Sequence, residues 1–229
     1  MIPTPIIQQV VDSVGLTTRR IVSIFKEGIV QKEDQITGAL VSELAKKLSG
    51  IRIEGIEIKV RAFSLREEKE TKADLGVLFN VRLPEYELSK AFIAQAKICR
   101  CKRSFPSYVF SHDNITKSLL NQCLQMMEIT PSSFVIVYTQ DYHCGIRVFP
   151  AADVYALGNK ISCKRLTHLY GMKLKNLFKN FLKCFIGDFK ITSYFWGVKG
   201  LEEFISEYRI KRGLLVQLLG KERKRYYHE

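Results

Sequence analysis

Asp74-Leu75-Gly76-Val77-Leu78-Phe79-Asn80-Val81 and Phe92-Ile93-Ala94-Gln95-Ala96-Lys97-Ile98 are the two stretches whose reading decides the fold. Both are apolar runs of strand length, rich in β-branched and aromatic residues, and both read as strands of a half-buried sheet. Asp74 opens the first run; Gln95 and Lys97 close the second. A carboxylate and an ammonium are costly in such strands unless something uses them. Hydrolysis of a phosphodiester with a divalent cation uses this pair: an anionic oxygen to hold the ion, and a cation beside the attacking water or the phosphate.

The segment between the runs, Arg82-Leu83-Pro84-Glu85-Tyr86-Glu87-Leu88-Ser89-Lys90, reads as a turn. Strands joined by one turn are usually antiparallel neighbours. A hairpin symmetric about 85–86 sets Asp74 directly across from Lys97, and Gln95 shares a face with Lys97 because strand side chains repeat every two residues.

Working outward, residues 1–30 read as one or two short helices, with Asp12, Ser13 or Thr17 as caps. Ile36, Leu40, Leu44 and Leu48 recur every four residues, which predicts a helix over 33–48 stopped by Gly50. Glu33 falls in line with that apolar stripe, at the helix end. Residues 51–60 read as a strand with a bulge at Gly55, and 61–72 as a charged connection. Asp113 is placed to cap a helix carrying Ile115, Leu119, Cys123 and Met126, with Gln122 on its polar side. Two further strands, 133–138 and 146–149, complete the pattern. The expected class is α/β, with a mixed central sheet flanked by helices.

Residues 159–190 carry eight Lys or Arg against one acid, Asp188. Lys175, Lys179 and Lys183 form a basic stripe opposite the apolar positions Leu174, Leu177, Phe178 and Phe181. The expected division is a core over 1–150 and a basic, largely helical extension over 151–229 packed on it. The whole chain of 229 residues has 36 Lys and Arg, 23 Asp and Glu, and a net charge of +13. That excess favours a polyanionic partner, nucleic acid before an anionic membrane. The six cysteines lack zinc-ribbon spacing and read as thiols in a reducing compartment. The four histidines show no metal spacing, and no phosphate-binding Gly-rich loop or nucleophile elbow is present. No leader peptide and no membrane span is expected, and the expected location is cytoplasmic.

Glu33, Asp74 and the triplet Gln95-Ala96-Lys97 resemble the PD-(D/E)xK nuclease superfamily, over roughly residues 30–140. Gln95 in place of the usual acid is similar to the variant in Mrr-like restriction endonucleases, and Thr71-Lys72-Ala73-Asp74-Leu75 has the same style. The resemblance implies a restriction-endonuclease-like core of order αβββαβ. It implies a Mg²⁺-dependent endonuclease, with Mn²⁺ able to substitute, that cleaves DNA in restriction or antiviral defence. Asp74, Gln95 and the Ala96 carbonyl would hold the ion, Glu33 would hold it through water, and Lys97 would act on the water and phosphate. Lys175, Lys179 and Lys183 would bind the DNA backbone. RNA as substrate, a homodimer and a partner protein in a defence complex are the further expectations.

Each residue has a plainer reading. Asp74 would cap a strand edge or pair with Lys72, Lys97 would pair with Asp74, Glu33 would serve the helix dipole, and Gln95 would be a satisfied buried amide. The rival functions are a catalytically inactive nucleic-acid-binding module of the same fold, and a structural protein whose charges only keep it in solution. Gln95 brings no charge, so the site has one negative group fewer to hold Mg²⁺.

Overall fold

The computed structural model of the chain describes residues 2–64, 71–84, 86–102, 107–110, 115–140, 145–158, 161, 171–192 and 194–220. Asp113 and all four histidines lie outside them. Among the described residues nine strands form one mixed sheet between two helical layers, and no helix is long and apolar enough to cross a membrane.

The chain starts with one helix, α1 (Thr4–Lys26), rather than two short ones. Its N-cap is Pro3, and Pro5 occupies the first turn, where a missing N–H costs nothing. Asp12, Ser13 and Thr17 are therefore interior, not caps. Helix α2 (Glu33–Leu48) follows the predicted period, with Ile36, Leu40, Leu44 and Leu48 buried. Next come β1 (Arg52–Ile53) and β2 (Ile56–Ser64), paired antiparallel. The expected bulge at Gly55 is instead their two-residue turn. Glu54 and Gly55 both have positive φ, 51° and 79°, the backbone a tight right-twisted hairpin requires.

Strands β3 (Ala73–Leu83) and β4 (Tyr86–Lys102) are the longest adjacent pair, and β5 (Ser107–Phe110) folds back on the far end of β4. Helix α3 (Ile115–Ile129), β6 (Ser133–Thr139), β7 (Ile146–Pro150) and α4 (Ala151–Ala156) follow. Every residue of β6 is buried, as expected of a strand covered on both faces. Then come β8 (Met172–Lys173), α5 (Leu174–Leu182), α6 (Gly197–Glu207) and β9 (Ile210–Gly220).

The strand order is β1-β2-β9-β3-β4-β6-β7-β8. The last strand thus sits inside the sheet, antiparallel to β2 and parallel to β3. A largely helical extension packed on a finished core does not describe 151–229, because without β9 the sheet is split between β2 and β3. One face of the sheet is covered by α1, α2 and α5 through a core that includes Ile6, Ile36, Leu40, Val77, Phe79, Phe92 and Phe178. The other is covered by α3, α4 and α6 through Leu78, Ile93, Leu119, Val137, Leu201 and Phe204. Gly76 on β3 pairs with Gly213 on β9. A Cβ at Gly76 would lie 2.8 Å from Phe204, and one at Gly213 2.8 Å from Ile205 and Leu201, so this glycine pair lets α6 rest on the sheet.

The expectation of thiols holds for Cys123 and Cys184, but Cys99 is disulfide-bonded. Burial in apolar surroundings pushes the Cys123 thiol up to about 12, so it is inert near neutrality.

Candidate functional site

Where β3 begins, β4 runs on past it, still paired with β6 on its other edge. The hairpin register pairs Leu83 with Tyr86 and Leu75 with Ala94, so Asp74 comes opposite Gln95. The predicted register, with Asp74 across from Lys97, is thus displaced by two residues, because the pairing continues almost to the turn. A shift of two preserves the side-chain face, and Asp74, Gln95 and Lys97 still share it.

Between the last β3 pair at Ala94 and the first β5 pair at Cys99, the β4 amides on the β3 side have no strand to bind. Carboxylates take them instead. The Ala96 N–H donates to Asp74 Oδ2 at 2.8 Å, and the Ile98 N–H donates to Glu33 Oε1 at 3.4 Å. Gln95 Nε2 also donates to Asp74 Oδ2. In this arrangement Gln95 orients the carboxylate, and its own Oε1 is the atom left to face a cation. Because a strand residue directs its N–H and C=O to the same edge, the Ala96 carbonyl points to the same open end.

Lys97 Nζ lies 3.3 Å from Glu33 Oε2, and the side chains are 9% and 30% exposed. The ion partner of Lys97 is therefore Glu33 rather than Asp74. Glu33 reaches the site because the start of α2 is fixed twice. Gln35 Oε1 accepts the Gln31 and Lys32 amides at 3.0 and 3.2 Å, a capping interaction. The Thr37 hydroxyl bonds the Glu33 carbonyl at 2.8 Å and meets the buried Tyr138 hydroxyl of β6 at 3.1 Å. Burial raises the Tyr138 pKa, so the phenol stays neutral.

The electrostatics favour a counter-cation. Burial pushes the Asp74 carboxyl above its ordinary value and the Glu33 charge pushes the same way; the Ala96 N–H, Lys97 and Lys211 pull it back only in part. Lys211 and Arg212, at the start of β9, are the residues sequence reasoning missed. Lys211 Nζ is 2.7 Å from Asp34 Oδ1, and Arg212 bonds the same oxygen. The Arg212 guanidinium, with Lys211 behind it, holds the Asp34 carboxyl down at about 2. These two cations reach the site because Ala73 of β3 pairs with Ile210 of β9, 137 positions away. Their one sequence signal is a charged pair opening an apolar run, the pattern that marked Asp74.

The other predicted residues lie elsewhere. Lys175 and Lys179 along α5, and Lys183 at its C-cap, are exposed on the outer layer. Gln122 Oε1 is shielded from solvent with no partner among the described residues. No group of three His, Cys, Asp or Glu side chains with metal-binding geometry occurs among the described residues. A cation here would be held by Asp74, Glu33, the Gln95 amide oxygen and the Ala96 carbonyl. That set is all oxygen, and the raised Asp74 carboxyl beside a second acid suits it to a hard divalent ion. Comparison with protein-family models, curated proteins and solved structures finds no match to this chain.

Proposed function

We propose that the chain is a Mg²⁺-dependent endonuclease acting on DNA, in restriction or defence, with a restriction-endonuclease-like core formed by α2, β2, β3, β4, α3 and β6. The observation that carries this reading is the convergence of Glu33, Asp74, Gln95, the Ala96 carbonyl and Lys97 where β3 begins. Such a set suits phosphodiester hydrolysis and has little use in a sheet that serves packing alone.

Asp74, Glu33 and the two neutral oxygens would hold the ion, which would supply charge for the scissile phosphate and lower the pKa of a water. Lys97 then turns from Glu33 to a non-bridging phosphate oxygen and stabilises the negative charge that grows as the water oxygen attacks. Lys211 flanks the same phosphate from the β9 side. The bond from phosphorus to its leaving oxygen breaks in line with the attack, the leaving oxygen takes a proton from solvent, and the water proton passes to solvent. Gln95 keeps the Asp74 carboxylate turned to the open edge.

A second reading, an inactive nucleic-acid-binding module within a larger complex, is favoured by one specific observation. Lys97 is spent on Glu33, and one Asp74 oxygen on Gln95 and Ala96, so the acids already serve the strand end without an ion. Supercoiled plasmid separates the two. Nicking with Mg²⁺ or Mn²⁺, stopped by EDTA, by Asp74→Asn and by Lys97→Met, supports the enzyme. Retarded but intact plasmid under all those conditions supports the module.

A further inference from the structure

Beside α1, a second basic feature lies at the same end of the sheet as Asp74. Arg19 of α1, Lys173 of β8 and Lys175 of α5 rim a cleft of about 460 Å³. Val11, Leu16 and Ile146 are among the apolar residues that line it. All three cations are exposed, and none makes an ion pair among the described residues. The one carboxylate on the rim, Asp12, is occupied by the Gln8 amide, at 3.1 Å to each oxygen. Three cations against one carboxylate leave a net positive charge around this concave surface among the described residues, which suits an anion.

The strand register says how far this cleft stands from the candidate site. Lys97 pairs across with Val137, Val137 with Arg147, and Arg147 with Lys173. Three strand spacings of about 4.8 Å make roughly 14 Å. A nucleic-acid strand advances about 3.4 Å per phosphate along its axis, so 14 Å is about four nucleotides. We infer that the cleft grips a backbone phosphate of the substrate strand, about four nucleotides from the bond that faces Asp74 and Lys97. This rests on the nuclease reading for its substrate, and it assigns the grip to Arg19, Lys173 and Lys175 rather than to the stripe running on through Lys179 and Lys183.

The test is binding of a fluorescent 20-nucleotide DNA, single-stranded and duplex, measured by anisotropy in EDTA so that no cutting intervenes. Arg19→Ala, Lys173→Ala and Lys175→Ala are combined in one variant. A charge-matched control combines Lys46→Ala, Lys47→Ala and Lys59→Ala, and thermal melts confirm that both are folded. The expected result is a Kd at least tenfold weaker for the cleft variant, with the slope of log Kd on log salt reduced by about 1, since each phosphate contact contributes about 0.9. The control stays within twofold. Equal losses in the two variants, an unchanged cleft variant, or a wild-type protein that binds no DNA would overturn the inference. Plasmid nicking by a cleft variant that binds normally sinks the cleft alone, whereas a cleft-dependent binder that never nicks keeps the cleft and sinks the nuclease.

Discussion

Asp74 carries opposite demands in the metal-free chain. It must accept the Ala96 amide and the Gln95 amide, yet burial and Glu33 disfavour its charge. A carboxyl raised above its ordinary 3.8 binds more protons folded than unfolded in the window between that value and its folded one. Stability contributed by Asp74 therefore falls as pH rises through that window, and the charged group is a liability at neutral pH. Asp74→Asn keeps an oxygen for Ala96 and removes the charge. Metal-free at pH 7, this variant should melt at or above the wild-type temperature. Wild type should gain about 2.7 kcal/mol at Mg²⁺ one hundred times its Kd, and the variant should not. Calorimetry with and without Mg²⁺ checks both; a variant that melts well below wild type without metal would make Asp74 purely structural. Asp34 has the opposite sign. Held down at about 2 by Arg212, it contributes stability above its ordinary 3.8 that is lost as pH falls towards 2. Asp34→Asn should therefore be less stable than wild type at pH 7, with the gap closing in acid titration. Lys97→Met should cut nicking by about 10²-fold or more while DNA binding in EDTA holds, a loss in the chemical step only.

At the scale of elements, the sequence carried α2, β3, β4, α3, β6 and β7, because each is either a stripe of helical period or an apolar run of strand length. It misplaced what periodicity does not encode. Gly55 shifts the phase of a strand equally well as a bulge or as a hairpin turn, and only the positive φ of its neighbour Glu54 makes it the turn. The register error of two residues between β3 and β4 came from centring the hairpin on a broad polar segment that in fact stays paired to Leu83 and Tyr86. Parity protected the site from that error. Lys90 was read as part of the turn; it is fully buried in β4, with its ammonium bonded to the carbonyls of Phe181 and Ile186 at the end of α5. No local pattern announces a lysine whose partners lie about ninety residues downstream. The Gly76–Gly213 contact gives the element-scale prediction. Gly213→Ala has no room against Leu201 and Ile205, and should cost about 1 to 3 kcal/mol by overpacking, read from chemical denaturation. An unchanged midpoint would show that α6 does not rest on this pair.

For the whole molecule, β9 is the decisive element. Composition suggested a basic tail over 151–229, and the tail is indeed basic, but its last strand is an apolar run buried between β2 and β3. Leu214, Leu215, Val216 and Leu218 were legible as apolar; their place in the middle of the sheet was not, since a parallel pairing 137 positions apart leaves no mark on either strand. A fragment of residues 1–150 should accordingly show no cooperative unfolding transition, because it lacks the strand joining the two halves of the sheet. A sharp melt from that fragment would contradict the topology. The same insertion brings Lys211 and Arg212 onto Asp34, next to Glu33 in sequence, and Lys211 within electrostatic reach of Asp74, so this side of the site depends on β9. The most direct measurement of that site is an anomalous difference map from a crystal soaked in Mn²⁺. We expect one strong peak at roughly 2.0 to 2.2 Å from an Asp74 carboxylate oxygen and from the Ala96 carbonyl, a hard-cation distance. A map at millimolar Mn²⁺ with no peak between those two oxygens would contradict the account.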